Sequence, residues 1–173
     1  MKKFILTLTA LLLLSFVSCN KGALPPKVYS SAFVCEYSFV EGEKLYRLRL
    51  EADSIDAEKE RTARLYYLEP STMVGVVCEY KNGEYSAVCG EAELFSDSAK
   101  ALFESAEPFL ASGKIEFVGK EKINGEYSEH YRVSGNDILS SVYIDGKSGK
   151  PQYIRSSVCG RNFEISVISF EER

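Results

Sequence analysis

From Phe33 onward, apolar and polar positions alternate with a period of two, as half-buried strands require. Phe33, Cys35, Tyr37 and Phe39 share one face of the first run, with Glu36 and Ser38 on the other. Tyr46, Leu48 and Leu50 oppose Arg47 and Arg49 in the next. Alternation continues over Arg64 to Leu68, Met73 to Tyr80 and Tyr85 to Phe95. It returns over Lys114 to Ile123, Glu126 to Val133, Ile138 to Asp145, Gln152 to Cys159 and Phe163 to Glu171. The punctuation suits hairpins. Asn82-Gly83 and Asn124-Gly125 each sit between alternating runs, and both residue types accept positive φ. Asp145-Gly146 with Ser148-Gly149, and Gly160 with Asn162, mark two more reversals. The pentapeptide Asn-Gly-Glu-Tyr-Ser recurs at 82–86 and 124–128, one turn chemistry used twice.

One segment breaks the period. Ala99, Leu102, Phe103 and Ala106 recur at helical spacing, Ser96 or Asp97 can cap the start, and Pro108 sets the expected end. The charged stretch Asp53 to Arg61 reads as a solvated connection. The expected fold is mainly β: about ten strands, mostly in meander order, in a strongly curled antiparallel sheet. An antiparallel sheet of that length tends to curl into a half-barrel. One amphipathic lid helix then closes over its concave face, burying Leu102 and Phe103.

The chain begins differently. Lys2 and Lys3 precede a nearly unbroken apolar run from Phe4 to Leu14, and Ser15-Phe16-Val17-Ser18 lead into Cys19. This resembles a bacterial lipoprotein signal, whose cysteine is acylated and becomes the first mature residue; Phe16 stands where the pattern usually has Leu. Even extended to Val17 the run is about 14 residues, short of the roughly 20 that span a bilayer. The expected organisation is a signal peptide over 1–18, a lipidated cysteine and tether over 19–32, and a half-barrel domain over 33–173. Lys21-Gly22, Pro25-Pro26 and Ser30-Ser31 give the tether its aperiodic character.

Removing residues 1–18 takes away two lysines and no acid, so the whole chain's −4 becomes −6. That charge leaves no electrostatic footprint for nucleic acid and no polybasic patch for anionic lipid. Membrane attachment then rests on the acyl chains at Cys19, placing the protein on the extracytoplasmic face of a cell membrane or envelope. Cys35, Cys78, Cys89 and Cys159 remain, allowing up to two disulfides in three pairings, or free buried thiols. A two-residue turn at 82–83 sets Cys78 opposite Ala87, only diagonal to Cys89. A four-residue loop at 82–85 sets Cys78 directly opposite Cys89, and that second register is the expectation. Cys35 with Cys159 is the remaining pair. The absence of CxxC spacing and the single histidine argue against zinc, and no metal or cofactor is expected.

Catalysis has little to build on. His130 shares its strand face with Ser128 and Arg132 and reads as a solvated strand residue. No nucleophile-elbow sequence is present and no carboxylate pair stands out, so no enzymatic activity is expected.

Two stretches carry a resemblance. Tyr67-Leu68-Glu69-Pro70-Ser71-Thr72-Met73-Val74-Gly75 with Tyr80-Lys81-Asn82-Gly83 is similar to a strand–proline–strand–turn pattern of the bacterial lipoprotein-carrier superfamily (LolA/LolB). Asp145-Gly146-Lys147-Ser148-Gly149-Lys150-Pro151 resembles that family's later hairpin. Short clostridia-type lipoproteins sharing this half-barrel look closer still. The resemblance runs in order over roughly residues 33–171 and implies an unclosed barrel without catalytic residues, whose concave apolar face receives acyl chains. The long first helix of the carriers has no counterpart in residues 20–32. On this reading the protein binds a lipid or other apolar ligand, with Phe33, Tyr37, Phe39, Leu48, Leu50, Val74 and Val76 as groove wall or core. The alternative is a protein-interaction or regulatory module of the envelope with a filled half-barrel, its protein partner unspecified.

Overall fold

The computed structural model describes residues 26–53, 62–110, 113–123, 125–135 and 137–173. The connection expected over Asp53 to Arg61 lies almost wholly outside them, and Cys19 and residues 1–18 lie outside as well. Eleven antiparallel strands form one sheet. In chain order they are β1 (Phe33–Glu41), β2 (Lys44–Ala52), β3 (Thr62–Glu69), β4 (Val76–Lys81), β5 (Glu84–Cys89), β6 (Ala92–Phe95), β7 (Lys114–Ile123), β8 (Glu126–Gly135), β9 (Ile138–Asp145), β10 (Pro151–Val158) and β11 (Arg161–Glu172). Their spatial order is β6-β5-β4-β3-β2-β1-β11-β10-β9-β8-β7. Two meanders are thus joined side by side through β1 and β11, and β6 and β7 form the two edges.

The eleventh strand comes from the run Tyr85 to Phe95, expected as one strand. The chain reverses at Gly90, with φ of 61°, and Cys89 faces Ala92 across the resulting tight hairpin. A second expectation also fails nearby. Ser71–Met73 form a 3-10 turn, the strand begins only at Val76, and Val74 lies off the sheet with 58% of its surface exposed.

Between the edges runs a bent helical path: α1 (Asp97–Phe103), a 3-10 turn (Glu104–Ala106) and α2 (Glu107–Leu110). Pro108 does not stop it, because a proline in the first turn of α2 forfeits no intrahelical bond. Ser96 precedes α1 at φ of 57° without a side-chain cap bond. α1 packs on β4, β5 and β6, whereas α2 packs on β9 and β10. Those groups are far apart along the sheet: β5 and β9 are separated by seven strand intervals, about 34 Å if flat. Residues 97–110 span only about 21 Å as helix. Contact at both ends therefore requires the sheet to curl around the path. The sheet is open, since no pairing joins β6 to β7.

The core lies between the concave face and this path. Phe33, Cys35, Tyr37, Leu48, Leu50, Leu65 and Cys78 from the sheet meet Ala99, Phe103, Ala106 and Phe109 from the helices. Val28 and Tyr29, expected in the tether, are buried in the same core, so the packed domain starts before Phe33.

Candidate functional site

The concave face is where a ligand groove was expected, and its floor is covered. Phe33, Tyr37, Phe39, Leu48, Leu50 and Val76 all point into the core and are buried. Phe103 is fully buried against the rings of Tyr80 and Tyr85, at centroid distances of 6.1 and 5.7 Å. Phe109 fills the other half, 5.0 Å from Tyr37 and 6.5 Å from Phe33. Leu102 is only partly buried, at the margin of the cover.

Polar groups fix the cover in place. The Tyr29 hydroxyl donates to the Pro108 carbonyl at 3.0 Å, and that of Tyr67 to the Leu102 carbonyl at 2.7 Å. Tyr37 and Ser105 share a buried hydroxyl–hydroxyl bond of 2.9 Å, and Tyr85 donates to the Glu107 carboxylate. Arg161 reaches from β11 to three acceptors: the Ala101 carbonyl at 3.2 Å, Glu104 at 2.7 Å and Glu41 at 2.5 Å. Glu104 is nearly buried, and a buried carboxylate is tolerated when it is paired like this. Burial raises the phenols of Tyr37, Tyr67 and Tyr85 above their ordinary value and keeps them neutral donors.

Several of these residues had no signal of their own in the sequence. Phe109 follows the proline taken as the end of the helix. Arg161 reads as a turn residue, and only the β1–β11 pairing brings it beside Glu41 and the helical path.

The cysteines follow the other register. Val76 pairs with Cys89 and Cys78 with Ala87, so the turn is Asn82-Gly83 alone. Both turn residues adopt positive φ, 53° and 90°, and a turn of that hand matches the twist of the flanking strands. The expected facing pair is therefore not formed; Cys78 and Cys89 are diagonal, and all four described cysteines are free thiols. Cys35 pairs with Phe170 near one end of β11, while Cys159 precedes Arg161 at the other. Nine residues of strand, about 30 Å, separate those ends, which excludes that disulfide.

His130 is buried, not solvated. Its ring stacks on Tyr143 at 4.7 Å, and Nδ1 lies 2.9 Å from the Glu121 carboxylate. The covering groups come from β7 and β9, which is why strand-face periodicity alone missed them.

The described groove lies elsewhere. It is an open depression of about 630 Å³ lined by Lys150, Tyr153, Ser166, Ile168 and their neighbours, with Ile123 and Glu126 at its rim. It borders the line where β10 and β11 part.

No protein-family model matches the sequence, and comparison with curated proteins gives no match. Solved structures do match. An uncharacterised conserved protein from Thermus thermophilus aligns over 85% of this chain and 82% of its own, at 12% identity and a TM-score of 0.55. MucB aligns over 82% of this chain at 10% identity and a TM-score of 0.52; the chain spans about half of it, 53%. A LolA superfamily protein from Nitrosomonas europaea aligns over 89% of this chain and 90% of its own, at 11% identity and a TM-score of 0.46. At such identities the likeness is one of fold. The fold class expected from the strand pattern, a mainly β open antiparallel sheet with a helical cover, is the one observed.

Proposed function

We propose that this protein is a lipid-anchored, extracytoplasmic half-barrel that acts by contacting another protein of the envelope, without enzymatic activity. One observation carries the reading: the concave face expected to hold a ligand is filled by the chain's own Phe103, Ala106 and Phe109. A pocket for an apolar ligand needs a concave volume lined by apolar groups. Here those groups are already in contact with one another. MucB, similar in fold, has been crystallised in complex with MucA(peri), so a protein of similar fold does meet another protein. The anchor rests on the sequence around Cys19. Native mass spectrometry of the full chain from detergent is the test. The mass of the chain with its covalent acyl groups and no further lipid is expected; repeated recovery of a stoichiometric, noncovalently bound lipid overturns the reading. Cys19→Ala should abolish labelling by radioactive acyl precursors, and persistent labelling would refute the anchor.

A second reading has an observation in its favour. The cover is held over an apolar face by separate bonds from Tyr29, Tyr67, Tyr85 and Arg161, in two short helical pieces joined by a 3-10 turn. Such a cover could lift to admit an apolar ligand. Uptake of an apolar dye that rises when Tyr67→Phe and Arg161→Ala are combined would favour this reading over the first.

A further inference from the structure

The sheet is split at one place. β10 pairs with β11 from Val158↔Arg161 only as far as Tyr153↔Ser166, while β11 continues beside β1 to Glu172. Among the described residues, no strand pairs with residues 167–171 from the β10 side, although Pro151 and Gln152 of β10 line the same groove. Local chemistry makes the split. Proline begins β10 and has no N–H to give a ladder. Its pairing with β9 is interrupted between Pro151 and Tyr153, and the β9–β10 hairpin turns back at Asp145. There the Asp145 carboxylate accepts from the backbone N–H groups of Lys147 and Ser148, at 3.2 and 3.1 Å, and from the Ser148 hydroxyl at 2.5 Å. These bonds hold the carboxyl below its ordinary pKa and brace the turn that borders the groove.

β11 is shaped to match. The Arg173 N–H donates to the Ala32 carbonyl at 2.9 Å. Antiparallel alternation then turns the N–H and C=O of Phe170 away from β1, toward the gap. A bulge between Val167 and Ser169 leaves Ile168 as the extra residue, half exposed at the groove. The open stretch of five residues is about 17 Å long, and the groove beside it holds about 630 Å³. Its charged lining is Glu126, Asp145 and Glu171 against Lys150 alone, an acidic excess.

We infer that this split is a docking site for one extended strand of a partner protein, apolar at alternate positions and basic between them, added to the edge of β11. The site deepens the protein-contact reading above and rests on it. Backbone pairing along β11 supplies the affinity, as in other strand additions. Ile123 and Ile168 receive an apolar side chain, and the carboxylates select for lysine or arginine.

The probe is a short peptide alternating lysine and valine, added to the full chain in detergent and followed by native mass spectrometry and fluorescence polarisation. Its glutamate–valine counterpart and a backbone N-methylated copy serve as controls. The lysine peptide should bind, N-methylation should weaken it roughly tenfold or more, and Glu126→Lys with Glu171→Lys should invert the preference toward the glutamate peptide. Both substituted residues are exposed, so the fold is retained. Equal binding of the N-methylated copy would mean attraction by charge alone and overturn strand addition. No binding by any peptide to protein that carries no noncovalent lipid would overturn the site and leave the protein-contact reading standing. A noncovalently bound lipid in the same spectra would overturn that reading itself. A concentration-dependent dimer abolished by Ile168→Asp would replace the partner strand with a second copy.

Discussion

At the scale of single residues, burial decides what the four described thiols can do. Cys35 and Cys78 are enclosed in the core; Cys89 and Cys159 are exposed at hairpin turns. Desolvation pushes the Cys78 thiol from 9.0 up to about 12 and raises Cys35 further in the same direction. Thiolate is the reactive form, so the buried pair is doubly protected, by access and by protonation. A maleimide at pH 8 should modify Cys89 and Cys159 within minutes and reach Cys35 and Cys78 only after denaturation. Mass mapping of labelled peptides checks this; rapid labelling of Cys78 in folded protein would contradict its place in the core. Arg161 is the other residue whose surroundings set an expectation. Arg161→Ala leaves the nearly buried Glu104 carboxylate without its cation, at a cost of about 1–3 kcal/mol readable in a urea midpoint.

At the scale of elements, the helical cover rests on Phe103 more than on Leu102. Phe103→Ala removes a fully enclosed ring and should cost about 3–5 kcal/mol, whereas Leu102→Ala, at the margin, should cost about 1–2. Equal melting curves for the two variants would show that the cover does not pack as described. The same elements show what a sequence exposes and what it hides. Period-two alternation marks β1 and β2 because one face is wet and the other dry, and this is visible within nine residues. The turn register at Asn82-Gly83 is present in the residue types, since both accept positive φ, whereas a facing Cys78–Cys89 pair requires the longer loop that the strands do not adopt. Gly90 hid a hairpin because a single glycine inside an alternating run does not break its period. Val74 looked like wall because hydrophobicity alone does not distinguish a strand residue from an exposed turn residue. The pairing of β1 with β11, and with it the position of Arg161, depends on contacts more than a hundred residues apart along the chain, which no local pattern encodes.

At the scale of the whole molecule, the two meanders share one core. Cys35 and Tyr37 come from β1, Tyr67 from β3, Cys78 from β4 and Tyr85 from β5, and burial raises the pKa of every one. These are acids held neutral, so the folded chain keeps their protons at pH values where the unfolded chain has lost them. Stability is therefore full below pH 9, the ordinary thiol value, and must fall above it as the unfolded state ionises first. Each thiol should remove about 1.4 kcal/mol by pH 10, about 3 kcal/mol together, and the three phenols add about 1 kcal/mol by that pH and more above it. Urea midpoints should stay level from pH 7 to 8.5 and then drop steeply. In the Cys35→Ala, Cys78→Ala double variant the baseline should be lower and the decline between pH 9 and 10 shallower, with the phenols' share remaining. Because both meanders face that core, near- and far-ultraviolet dichroism should report one coincident transition. A half that melted alone at pH 10 would mean that β1 and β11 do not bind the sheet into a single unit.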